Sequence, residues 1–79
     1  MDIKAIKELA TQYTVEELNS FAQKLENGET PNTPHSKEDP GDLLSDFIQA
    51  AEVRMLMNQG LEMKEAIREF SKRVRQTLS

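Results

Sequence analysis

Apolar residues recur along this chain at steps of three and four, the period of an α-helix, in four separate stretches. Ile3, Ile6, Leu9, Ala10 and Tyr13 make the first, and Val15, Leu18, Phe21, Ala22 and Leu25 the second. Met63, Ala66, Ile67, Phe70, Val74 and Leu78 line one face of the fourth, expected over residues 62–77. The third, residues 42–58, is the most apolar. Wound at about 100° per residue, Leu43, Leu44, Phe47, Ile48, Ala50, Ala51 and Met55 fall on one broad face. Asp42, Ser45, Asp46, Gln49 and Glu52 gather opposite, while Val53, Leu56 and Met57 carry the apolar surface further round in the last turns. A helix at the edge of a bundle needs a stripe only somewhat wider than about 100°. The excess predicts a central helix contacted from more than one side; the alternative is an ordinary amphipathic helix with exposed Met side chains.

Start and stop signals agree with four helices. Asp2 can cap the first. Thr14 and Glu17 have capping-box spacing, in which the hydroxyl accepts from the Glu17 N–H and the carboxylate accepts from the Thr14 N–H. Tyr13 and Leu18 flank this cap as a hydrophobic staple. The pair Asn27 and Gly28 supplies a stop, because Gly accepts the left-handed conformation a helix end requires. Asp39 caps the third helix, Pro40 sits where its missing N–H costs nothing, and Asp42 adds negative charge to the first turn. Gly60 ends it. Glu62 and Glu65 near the start of the fourth helix, and Lys72, Arg73 and Arg75 near its end, complement the helix dipole. Glu69 is spaced to pair with Arg73.

Between the second and third helices, residues 28–40 contain three Pro, one Gly and no aliphatic residue. This reads as a flexible linker, long for a helix–helix connection. The expected fold is therefore all-α: one helical domain over residues 1–79, with an N-terminal helical hairpin (2–27) joined by the linker (28–40) to a C-terminal hairpin (41–78).

Composition narrows the setting. The chain has 79 residues, 37% of them hydrophobic and 30% charged, so its core is small and its margin of stability thin. It has no Cys, which excludes a disulfide framework and thiolate metal ligands and fits a reducing compartment. The N-terminus carries Asp2 at once and no apolar run of signal-peptide type, and no stretch approaches the roughly 20 apolar residues of a membrane span. A cytoplasmic protein without membrane contact is expected. The net charge of −4 opposes non-specific attraction to nucleic acid.

Little chemistry is visible. His35 is the single histidine and lies in the linker, where nothing fixes partners around it. Asp42 and Asp46 stand four apart, but Mg²⁺ and Ca²⁺ need more oxygens than two on one turn. Phosphate-loop, HExxH and GxSxG patterns are absent. No enzyme, cofactor or metal is expected. Arg68, Lys72, Arg73 and Arg75 form the best candidate for contact with an anion or nucleic acid. Asn58 to Leu61 has the length of a helix-turn-helix turn. Glu62, Glu65 and Glu69 on the would-be reading helix oppose that use. Met adapts to irregular surfaces, and Met55, Met57 and Met63 cluster around Gly60 in a corner suited to a partner groove; Val53, Leu56, Met57 and Met63 are the candidates for a partner surface, core filling being the other use of such residues.

Ala50, Ala51, Glu52, Val53, Arg54, then Met57, Gly60, Glu65, Ala66, Ile67, Phe70, Lys72, Arg73 and Val74 make a run that resembles short bacterial all-helical proteins of no assigned function. The resemblance covers roughly the last thirty residues and implies a bacterial cytosolic setting, with no activity attached. The function expected is that of a small non-enzymatic protein–protein interaction or structural module that associates with a protein partner or with itself as a homodimer. The alternative is a nucleic-acid-binding regulator acting through the basic C-terminal helix.

Overall fold

A computed structural model describes residues 3–31, 33 and 39–78, the side chains of 74–78 excepted. Four helices follow one another: α1 (Ile3–Gln12), α2 (Val15–Glu26), α3 (Pro40–Asn58) and α4 (Met63–Leu78). The described residues contain no strand, so the fold is an all-α bundle as expected. Asp2, His35 and Glu38 lie outside the described residues.

The helix ends follow the chemistry read from the sequence. The Thr14 N–H donates to Glu17 Oε1 at 3.0 Å and the Glu17 N–H donates to Thr14 Oγ1 at 3.1 Å, closing the capping box that starts α2. Asp39 Oδ1 accepts from the Gly41 N–H at 2.8 Å at the start of α3, with Pro40 in the first turn. Two C-termini close in the same way. Gly28 and Gly60 have φ of +83° and +107°, values at which a Cβ would strain the backbone. After α2, the Glu29 N–H donates to the Lys24 carbonyl at 2.8 Å and the Gly28 N–H to that of Leu25 at 3.1 Å. After α3, the Leu61 N–H reaches the Leu56 carbonyl at 3.4 Å and the Gly60 N–H that of Met57 at 3.0 Å. These are Schellman pairs, in which the glycine lets two terminal carbonyls find donors.

Helix α3 is the hub, and α1, α2 and α4 all pack chiefly on it. Its buried residues are Leu43, Asp46, Phe47, Ala50, Ala51, Val53 and Leu56. They meet Ile6, Leu9 and Ala10 of α1, Leu18 and Ala22 of α2, and Ala66 and Phe70 of α4 in one core. Three rings tie the α1–α2 corner to this hub. Tyr13 stands edge-on to Phe21 at 5.0 Å between ring centres, and Phe21 lies 5.5 Å from Phe47, which is fully buried. Tyr13 therefore packs on Phe21 as well as preceding the capping box.

The buried arc of α3 differs from the expected face. Asp46, placed with the polar residues, is 4% exposed, while Ile48 and Met55, placed on the apolar face, are 51% and 46% exposed. At about 100° per residue the arc has turned by roughly a quarter of a revolution toward Val53 and Leu56. The cause is the helix itself. With apolar residues nearly all round, it has no sharp face of its own, and the neighbours that dock on it decide which arc is covered.

Arg54 is part of the same packing. No basic residue occupies the last turn of α1, so its terminal carbonyls lack a local cation. The Arg54 guanidinium of α3 supplies one, Nη1 donating to the Ala10 carbonyl at 3.0 Å from 44 residues away in sequence. Its Nε is buried without a hydrogen-bond partner, so this side chain gives up hydration to cap α1.

Phe47→Ala should cost about 3–5 kcal/mol, the range for emptying a fully buried phenyl site, whereas Ile48→Ala should cost about 1 kcal/mol or less because half of its side chain is already in water. Urea denaturation of the two variants measures the contrast, and equal losses would refute the arc described above. Arg54→Met should cost about 1–3 kcal/mol, the scale of a charged hydrogen bond plus the terminus it serves. The loss should show first as faster amide exchange in α1.

Candidate functional site

The quarter-turn of α3 leaves a line of residues on its outer side. Leu44 is half-buried, Ile48 and Met55 are exposed, and Asn58 at the end of the helix is exposed. Ala51 lies between Ile48 and Met55, 5% exposed beneath its larger neighbours. The spacing 44, 48, 51, 55, 58 alternates four and three, the repeat of a helix seam that meets another helix. Ile48 and Met55 are the two large hydrophobic side chains that stand out of the core among the described residues.

One border of this seam is charged. Arg73 Nη1 of α4 donates to Glu52 Oε1 of α3 at 3.2 Å, and Arg73 Nε lies 3.9 Å from Glu69 Oε1, the i,i+4 pair expected from the sequence. Both partners of the Arg73–Glu52 bridge remain about half exposed, so the bridge adds orientation more than stability. Beyond it, between α3 and α4, runs a groove of about 420 Å³ lined by Leu56, Gln59, Leu61, Glu65, Arg68 and Glu69 with Arg73. Its apolar floor follows from the turn that ends α3. The Schellman closure at Gly60 folds Leu61 back toward Leu56, and a contact between those two positions commonly accompanies that motif. Glu52, four residues from both Ile48 and Leu56, joins seam to groove as one surface.

The residues singled out in the sequence are distributed differently. Val53 and Leu56 are in the core. Val53 cannot meet a partner without unfolding, and Leu56 shows only at the groove floor, so neither offers the free partner surface expected of it. Both were drawn inward by the rotation of the buried arc. Met57 and Met63 are half-buried and pack on the edge of the core. Arg68 and Lys72 are exposed on α4, Arg68 in the lining of the groove. Arg73 lines the same groove and is held by two carboxylates, Glu52 and Glu69, with Glu65 also in the lining, so the groove that gathers Arg68 and Arg73 is as acidic as it is basic. The Arg75 side chain lies outside the described residues. Asp42 and Asp46 do not share a site, since the first is exposed and the second buried. Among the described residues no three of His, Cys, Asp and Glu gather as they would around a metal ion, and no helix is long and apolar enough to cross a membrane.

A protein family matches the whole chain, residues 1–79, and it is described as a family of unknown function, DUF6952. The chain belongs to this family. The match spans both halves of the DUF6952 chain, not the C-terminal half alone, and carries no activity with it. No curated protein and no solved structure matches the chain.

Sequence reasoning placed Ile48 and Met55 on the apolar face of the third helix and grouped Met55 with Met57 and Met63 as a corner suited to a partner, without singling out the Ile48–Met55 line. The signal was nevertheless present in the four-three spacing from Leu44 to Asn58. A double-mutant cycle on Glu52→Gln and Arg73→Met should return a coupling below about 1 kcal/mol, shrinking further in high salt. A larger value insensitive to salt would mean that the pair is shielded from water.

Proposed function

We propose that this chain is a small non-enzymatic protein-interaction module whose docking surface is the outer side of α3, with the adjoining α3–α4 groove as its polar border. One observation carries the reading. Ile48 and Met55 stand in water on one helical line, while the other large aliphatic and aromatic side chains among the described residues are wholly or partly buried. Exposed apolar side chains are unremarkable singly; two of them at the seam spacing of a helix–helix contact, bordered by a charged rim, match the anatomy of an interface. The absence of a catalytic motif from the sequence supports the non-enzymatic part, and the bacterial, cytosolic setting implied by the resemblance completes it.

Nucleic-acid recognition has less support. Arg73, one of the four basic candidates, is engaged by Glu52 and Glu69, and Glu65 and Glu69 line the groove beside Arg68. Phosphates approaching that side would meet carboxylates.

The test compares immobilised wild-type chain with the double variant Ile48→Asp and Met55→Asp in a native cell extract. Circular dichroism should first establish that the variant keeps its helix content, as expected for two exposed positions. The wild type should retain a defined set of proteins, itself included where it self-associates, and the variant should lose them. Identical sets from both would refute the reading.

A further inference from the structure

Asn27 is the single asparagine of this chain that precedes a glycine; Asn19, Asn32 and Asn58 precede Ser20, Thr33 and Gln59. The difference is chemical. The main-chain nitrogen of the next residue can attack an asparagine side-chain amide, and a Cβ on that residue hinders the approach. Gly28 has none, and no heavy atom lies within 4 Å of where one would stand. Both residues are exposed, so water reaches them. The fold holds the reaction back in two ways. Asn27 has a ψ of 3°, which leaves the Gly28 nitrogen about a third of a turn from the Asn27 Cβ around the Cα–C bond. The Gly28 N–H is also committed to the Leu25 carbonyl at 3.1 Å, and the Glu29 N–H beyond it to that of Lys24 at 2.8 Å. Attack therefore requires the Schellman closure of α2 to open. Helix ends open locally, far below the free energy of global unfolding.

We infer that Asn27 is a site of self-modification gated by the closure of α2, independent of the docking surface. When the last turn opens, the Asn27 ψ rotates and the Gly28 nitrogen, its proton lost to hydroxide, bonds to Asn27 Cγ. The Cγ–Nδ2 bond breaks, and the amide nitrogen takes a proton from water and leaves as ammonia. A five-membered imide remains. Water opens it at Cγ, giving an aspartate at position 27, or at the main-chain carbonyl, giving an isoaspartate whose chain runs through Cβ and Cγ. Solvent supplies every co-reactant, and nothing is oxidised or reduced. Either product adds a negative charge to the −4 of the chain. The charge arises between Glu26 and Glu29, at a helix C-terminus, where the dipole opposes it. The isoaspartate also lengthens the main chain by a carbon, which breaks the register of the Glu29 N–H on the Lys24 carbonyl. Modification thus loosens the last turn of α2, the turn that lays Leu25 on the edge of the core.

The test incubates the full chain at mildly alkaline pH, folded and in guanidinium chloride, and follows position 27 by peptide mass spectrometry. Amide exchange of Gly28 and Glu29 in the folded chain measures how often the closure opens. Modification should reach Asn27 ahead of the other three asparagines and quicken as pH rises. It should be slower in the folded chain than in the unfolded one by the factor that slows exchange of these two amides, about tenfold for a fraying helix end. Asn27→Asp, which stands in for one product, should speed exchange of the Glu29 amide severalfold while the rest of the helices keep their protection. Equal rates in the folded and unfolded chain would overturn the gating. Slowing far beyond the protection of the two amides would overturn the opening of the last turn as the route. An unfolded chain left intact at position 27, or modified first at another asparagine, would overturn the site. Unchanged Glu29 exchange in Asn27→Asp would overturn the loosening.

Discussion

Everything in this molecule depends on one helix being shared. A chain of 79 residues cannot build a core of several layers, and here α1, α2 and α4 all bury their apolar stripes chiefly against α3. The fully buried Phe47 ring, and through it Phe21 and Tyr13, connects the corner between the first two helices to that hub. Each outer helix is amphipathic in the ordinary sense, with one wet side and one dry side. The hub is not, and its composition is the cost of serving three neighbours at once.

That sharing explains both the core and the candidate site. Three helices placed around a fourth do not close the circle, so part of α3 remains in water. Because its apolar residues are distributed nearly all round, the open part is apolar too. Ile48 and Met55 are thus exposed by the same arrangement that buries Val53 and Leu56. The Arg73–Glu52 bridge marks the border where α4 stops covering α3, and the Gly60 turn that sends the chain back into α4 also brings Leu61 over Leu56 to make the groove.

The four helices, the central role of α3 and most of the helix ends were legible in the sequence, because they depend on local chemistry. The capping box at Thr14 and Glu17, the Asp39 cap and the glycine stops at 28 and 60 each involve groups within five residues of one another. The site was less legible. Which arc of α3 is buried depends on neighbours far away in sequence, and an all-round apolar helix offers no internal clue to it. Asp46 inside and Ile48 outside are the result of that ambiguity. Arg54 was legible as a positive charge, but not as the cap of a helix 44 residues earlier. Arg73 was readable as the partner of Glu69, while its stronger contact with Glu52 needed the packing of α4 on α3.

The Arg54–Ala10 contact also has a consequence for the order in which the chain acquires structure. During synthesis α1 and α2 leave the ribosome before the helix that holds them exists. At about 5–20 residues per second, the 44 residues separating Ala10 from Arg54 represent roughly 2–9 s of waiting. Throughout that interval Ile6, Leu9 and Leu18 have no surface to cover them, and short isolated helices are marginal in water. The nascent N-terminal half therefore reaches its packed state only when α3 emerges to gather it in.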